Sequence, residues 1–86
     1  MNVRIPTPLR SYTDQQAHVV ADGTTVAEVL ADLDRQFPGL RFRVVDEQGR
    51  LRPHVKVFVN DDATRDLTSA VTEADEVTIM QALSGG

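Results

Sequence analysis

The sequence contains no cysteine and no tryptophan, and its aromatic residues are three phenylalanines and one tyrosine in 86 positions. Without cysteine there is no disulfide, no thiolate-ligated zinc and no thiol nucleophile; a cytoplasmic location is the expected compartment. No apolar run approaches the roughly 20 residues that cross a bilayer, and Met1–Arg10 lacks the apolar stretch of a signal peptide, so no membrane contact is expected. An excess of positive charge is missing too. Nine basic side chains face thirteen acidic ones, a formal charge of −4, which argues against a general nucleic-acid binder. There is no Gly-rich phosphate loop and no serine in a nucleophile motif. His18 and His54 stand alone, without the i, i+3 or i, i+4 companion of a helical metal site, and no metal is expected. What remains is a chain with 41% hydrophobic and 26% charged residues, long enough for one small folded domain that buries roughly 60% of its unfolded surface.

Hydrophobic periodicity divides that domain into elements. Asn2–Pro6 alternates, with Val3 and Ile5 on one face, and Pro6 and Pro8 end it. The polar stretch Leu9–Gln16 reads as a turn, and Ala17–Ala21 as a second strand that completes an N-terminal hairpin. The period then changes: Val26, Val29, Leu30, Leu33 and Phe37 fall at helical spacing. Thr25 and Glu28 fit a capping box, each side chain serving the other's backbone N–H, and Pro38-Gly39 stops the helix. Leu40–Pro53 fits either a short strand or a loose helical turn. His54–Asn60 alternates with Val55, Val57 and Val59 inward, Asn60-Asp61-Asp62 is a tight turn, and Ala63–Arg65 reads as a brief edge strand. Leu67–Ala74 is a connection, and Glu76–Leu83 a last strand with Val77 and Ile79 inward. Strands gathered around one helix argue an α+β domain, with the first and last strands central if they pair in parallel.

Charge is sorted along the chain: residues 1–34 are net −3, residues 35–60 net +4 and residues 61–86 net −5. Read as more than a solvated surface, the acidic C-terminal third would steer toward a basic partner. The Arg-rich middle has Phe42 interleaved, too little for RNA recognition. The paired acids Asp61-Asp62 and Asp75-Glu76 sit beside turns, where Asp serves local hydrogen bonding. Alternation also places Phe58, Thr78, Met80 and Ala82 on the outer face. Unless residues 40–53 cover them, Phe58 and Met80 form an exposed apolar patch, the usual mark of a protein partner.

The closing Gly85-Gly86 is the most informative pair. Glycine is about 7% of ordinary sequences, so two together at an end arise by chance about once in two hundred chains. An ordinary frayed end is the alternative. A Gly-Gly thread has no Cβ atoms and fits a narrow active site in another protein, presenting its carboxylate there. Adenylation makes that inert carboxylate an acyl donor, and sulfide can displace the adenylate to leave a thiocarboxylate.

Together with Ile5-Pro6-Thr7, Leu9-Arg10, Thr13, Val29-Leu30, Asp32-Leu33, Val57-Phe58-Val59-Asn60-Asp61, Arg65 and Val77-Thr78-Ile79, this ending resembles the sulfur carriers of the MoaD and ThiS group, with its nearest likeness in the CysO branch. The resemblance covers essentially the whole chain. It implies a ubiquitin-like β-grasp fold: a mixed sheet of four to five strands on one main helix (residues 1–83), followed by a flexible tail (residues 84–86). It implies a protein co-substrate rather than an enzyme, with Gly86 as the sulfur-carrying terminus (1-thioglycine when loaded), Ser84 and Gly85 as its tail, and Phe58, Met80, Ala82 and Leu83 on the docking face. The implied partners are a MoeB/ThiF-type adenylating enzyme that uses ATP and a sulfide source, a PLP-dependent cysteine synthase as sulfur acceptor, and a zinc metalloprotease that frees the cysteine. A thiosugar synthase as acceptor, a role as the small subunit of molybdopterin synthase, tRNA thiolation and protein conjugation stay open.

Overall fold

The computed structural model describes residues 1–82; residues 83–86 lie outside it, and with them the expected boundary between domain and tail. Among the described residues, five strands and two α-helices follow in the order β1 (Asn2–Arg4), β2 (His18–Val20), α1 (Val26–Gln36), α2 (Leu40–Val44), β3 (Val55–Val59), β4 (Asp62–Thr64) and β5 (Glu76–Gln81), with a 3-10 helix at Thr7–Tyr12. The strands form one mixed sheet in the order β2-β1-β5-β3-β4. The outer pairings are antiparallel, and the central pair, β1 with β5, is parallel. This is the α+β arrangement expected from the sequence, with the terminal strands adjacent.

The strand alternation supplies one inward row. Val3, Val19, Val55, Val57, Val77 and Ile79 are all buried, and they pack with Val26, Val29, Leu30 and Leu33 of α1 in a single core. The helix forms where the 3.6-residue stripe predicts. Its N-terminus is capped as expected on one side only. The Thr25 hydroxyl accepts from the Glu28 N–H at 3.2 Å, but Glu28 reaches past Thr25 to the Thr24 N–H and hydroxyl, both at 2.9 Å. The connection before β5 serves the same helix end. The carbonyls of Ser69 and Leu67 accept from the N–H groups of Val26 and Ala27 at 3.1 and 2.9 Å, satisfying two of the helix's orphan donors. The Leu67–Ala74 stretch therefore closes the start of α1.

Two segments differ from the sequence reading. The polar stretch after Pro8 is not a plain turn. Thr7–Tyr12 is a 3-10 helix that buries Leu9 in the core, and the reversal follows at Asp14 and Gln15, both at positive φ. Thr13 lies fully buried here, and its hydroxyl is satisfied by donating to the Gln16 carbonyl at 2.9 Å. Residues 40–53 use both of the conformations left open. Leu40–Val44 is a helical turn entered through Gly39 at φ 96, and Val45 bridges Leu51 around the Gln48-Gly49 turn. Leu40 and Val44 are both fully buried, which fixes α2 on the helix side of the sheet.

Leu33 has no exposed surface at all. Leu33→Ala is expected to lower unfolding stability by about 2–5 kcal/mol, read as a fall in the urea midpoint at an unchanged denaturant slope.

Candidate functional site

The outward face follows from the register. Arg4 lies beside both His18 and Thr78, Thr78 beside Phe58, and Phe58 beside Ala63. One step along, Met80 faces Lys56, so Phe58 and Met80 are diagonal neighbours on adjacent strands, within reach of each other. Met80 is 50% exposed and Phe58 is half-buried. The helices do not cover this face, because α2 packs with α1 and the 3-10 helix against the inner row. The apolar pair expected from alternation is therefore present.

The two ends of β5 carry opposite charge. At its start, the Asn60 side chain donates to Asp75 at 2.9 Å and accepts the Glu76 N–H at 2.9 Å, while Asn2 donates to the Glu76 carboxylate at 2.9 Å. Asp62 pairs with Val59, which itself faces Val77, so Asp61, Asp62, Asp75 and Glu76 gather at this end. The Met1 ammonium lies on the same side, bonded to the Ala21 carbonyl at 2.9 Å. The Asn60 amide, then the Thr72 N–H, hold the Asp75 carboxyl below its usual value.

At the other end, where the chain passes from Gln81 to Ala82, two concavities adjoin Gln81. One, of about 550 Å³, lies between the ends of β1 and β5 and is lined by Arg4, Pro6, Pro8, Arg10 and Met80 among others. The second, of about 290 Å³, is formed by Phe42, Arg43, Arg52, His54 and Gln81. Its wall is braced twice. The Arg52 guanidinium stacks 4.8 Å from the Phe42 ring centroid and donates to the Phe42 carbonyl at 2.8 Å. Arg65 donates to the carbonyls of Val55, Leu51 and Arg52 at 2.9, 2.9 and 3.1 Å, clipping the 51–55 segment to the sheet. The Ala82 N–H donates to the His54 carbonyl at 2.8 Å, so Ala82 leaves along β3.

Of the docking residues expected from the sequence, the structure brings Phe58, Met80 and the exposed Ala82 to one region. Leu83, Ser84, Gly85 and Gly86 lie outside the described residues. Sequence reasoning missed Arg4, Arg10, Arg43 and Arg52 as neighbours of the chain's exit. They come from three separate segments, and only the parallel β1–β5 pairing and the 45–51 reversal bring them there. Among the described residues no group of three or more His, Asp or Glu is placed to hold a metal ion, and no helix is long and apolar enough to cross a membrane.

A mixed five-stranded sheet with a central parallel pair, clasping one long helix, is a β-grasp domain. Residues 3–86 match the ThiS family, and the chain belongs to that family. It is 37% identical to the sulfur carrier protein CysO of Mycobacterium tuberculosis over all of this chain and 98% of that protein. It is 33% identical to small archaeal modifier protein 3 of Haloferax volcanii, over 78% of this chain and 75% of that one. Among solved structures, a chain of the Amycolatopsis orientalis BexX/CysO complex superposes with a TM-score of 0.92 at 36% identity, covering 99% of this chain and 98% of that one.

The lowered Asp75 carboxyl has a pH consequence. A depressed native value contributes stability above the unfolded-state value, and this is lost as pH falls through the native one. Asp75→Ala should therefore melt below the wild type at neutral pH, and the gap should close as the pH drops below the ordinary Asp value of 3.8. Calorimetric melting across that range checks it.

Proposed function

We propose that this chain is a sulfur carrier, a protein co-substrate whose reactive group is the carboxyl of Gly86. The observation that carries this reading is the likeness to a CysO sulfur carrier over all of this chain and 98% of that protein, joined to the Gly85-Gly86 pair. The chain leaves the sheet at Ala82, beside the exposed Met80, so a partner seated on the outer face meets the residues that follow.

The chemistry divides between the two proteins. In a MoeB/ThiF-type enzyme, a Gly86 carboxylate oxygen attacks the α-phosphorus of ATP and expels pyrophosphate, giving an acyl adenylate. Sulfide then attacks the acyl carbon, AMP departs with the oxygen, and a thiocarboxylate remains. Its sulfur is a soft nucleophile held on a compact handle. A PLP-dependent cysteine synthase is the acceptor this reading favours, followed by a metalloprotease that releases the product. A thiosugar-type acceptor uses the same loaded end. The Amycolatopsis relative is seen in complex with a second protein, BexX, which supports a role exercised through partners. Docking is assigned to Phe58, Met80, Ala82 and Leu83, with Ser84 and Gly85 as the thread. A second reading, protein conjugation, is favoured by the likeness to an archaeal modifier protein. In it the same adenylate passes to an amine instead of to sulfide.

Incubation with the adenylating enzyme, ATP and sulfide is expected to raise the intact mass by one oxygen-to-sulfur exchange. Deleting Gly86 should abolish that gain while the circular-dichroism melt stays unchanged, and Met80→Asp should slow it. Isopeptide-linked products in place of the exchange would favour conjugation, and an unchanged mass would sink both readings.

A further inference from the structure

The two concavities beside Gln81 share an unusual composition. Between them they carry Arg4, Arg10, Arg43, Arg52 and His54, and among the described residues no carboxylate lines either one. Lys56 stands next to Met80 on the outer face. Among the described residues the ion pair is Arg35 with Asp32 on α1, so none of these cations is held in an ion pair there, although the charge of Arg52 reaches Asp46. Arg10 and Arg52 bond the carbonyl oxygens of Ile5 and Phe42, which fixes their direction without cancelling their charge. Arg4, Arg43 and Lys56 are exposed. Asp61, Asp62, Asp75 and Glu76, with Glu73 in the turn closed by Thr72 and Asp75, sit at the opposite end of β5, about 17 Å away at strand rise, while Asp66 lies beside Arg65 beyond the β4 edge. A chain of net charge −4 thus presents a positive collar where it continues toward Gly86, the reverse of the sign its C-terminal composition suggests.

We propose that this collar docks the domain, chain end first, onto a protein surface that carries carboxylates around an apolar centre, at the entrance that receives residues 83–86. The inference rests on the carrier reading above and names the chemistry of the partner's entrance. The apolar centre would meet Pro6, Pro8 and Met80 on one side and Phe42, 53% exposed, on the other; the carboxylates would meet the arginines around them. An acidic protein fits better than a polyanion such as RNA, because the distal acids and the net charge repel a long anionic lattice but orient a compact acidic surface. Opposite poles separated by more than a Debye length of ~8 Å turn the domain during approach, and steering of this kind raises association rates by roughly 10- to 1,000-fold.

The test is stopped-flow association with the ThiF-type adenylating enzyme of the same source, at low and high salt, alongside end-point thiocarboxylation by mass. The wild-type on-rate should fall about tenfold or more with added salt. The variant Arg4→Glu/Lys56→Glu/Arg43→Glu should associate at least about tenfold more slowly at low salt, with a flattened salt dependence, yet still be loaded on long incubation. Arg43→Glu alone, which touches no backbone contact of the fold, should give a smaller loss of the same kind if the triple variant melts early. Asp62→Lys/Glu73→Lys, at the distal pole, should not slow association. Normal loading with an on-rate indifferent to salt and to the collar charges, or a slowing only in the distal variant, overturns the collar and leaves the carrier reading intact. Failure of the wild type to load overturns both, and retention of a tRNA probe at physiological salt, lost in the triple variant, overturns the choice of an acidic protein.

Discussion

The parallel pairing of β1 with β5 is the constraint from which the rest of this molecule follows. It sets Val3 beside Val77 in the middle of the sheet, where neither has exposed surface. A parallel pair needs a long crossover, and here the intervening chain supplies both the α1 helix and the other half of the sheet. Because the inward residues are buried in one core with α1 and α2, the register is strongly specified: a one-residue slip would turn Val77 and Ile79 to solvent and bring Thr78 and Met80 into the core. The same register places Arg4 on the row of Thr78 and brings the end of β1 alongside the exit of β5.

That placement separates two properties the composition had mixed. Length, fold and core are those of a small rigid scaffold, whose α1 start is capped by its own Thr25 and by a distant loop. Charge is arranged along the strand axis, acids around Asn60 and Asp75 at one end, arginines around Gln81 at the other. The carboxylates at the acidic end are engaged locally: Asp75 with Asn60 and Thr72, Glu76 with Asn2. The guanidinium groups at the other end bond backbone carbonyls or face solvent. A carbonyl orients a cation, and an amide a carboxylate, without discharging it, so both ends keep their field.

Much of the fold was legible in the residues because it depends on local periodicity. The stripe from Val26 to Leu33, the alternation of Val55, Val57 and Val59, and the Asn60-Asp61 turn each report a nearest-neighbour preference. Where the reading was incomplete, a distant contact decided. Thr7–Tyr12 is polar on paper, but one buried leucine in the core makes it a 3-10 helix. Residues 40–53 had no single period because Leu40 and Val44 reach the core from a helical turn while Val45 and Leu51 reach it from a bridged pair. At the start of α1 the Ser69 and Leu67 carbonyls accept from the Val26 and Ala27 N–H groups, which no local pattern shows. The outward pair Phe58 and Met80 was legible from alternation alone; the basic groups around it were not.

By itself the sequence determined which residues point inward and where the long helix begins and ends, since each depends on side-chain size or capping chemistry over a few residues. Only the tertiary structure decided what surrounds the point where that chain leaves the sheet. Arg4, Arg43 and Arg52 are far apart in sequence, and electrostatic fields sum over distance in space, not along the chain. A net charge of −4 therefore says nothing about the sign of the surface at Gln81 until the β1–β5 pairing has put those residues there.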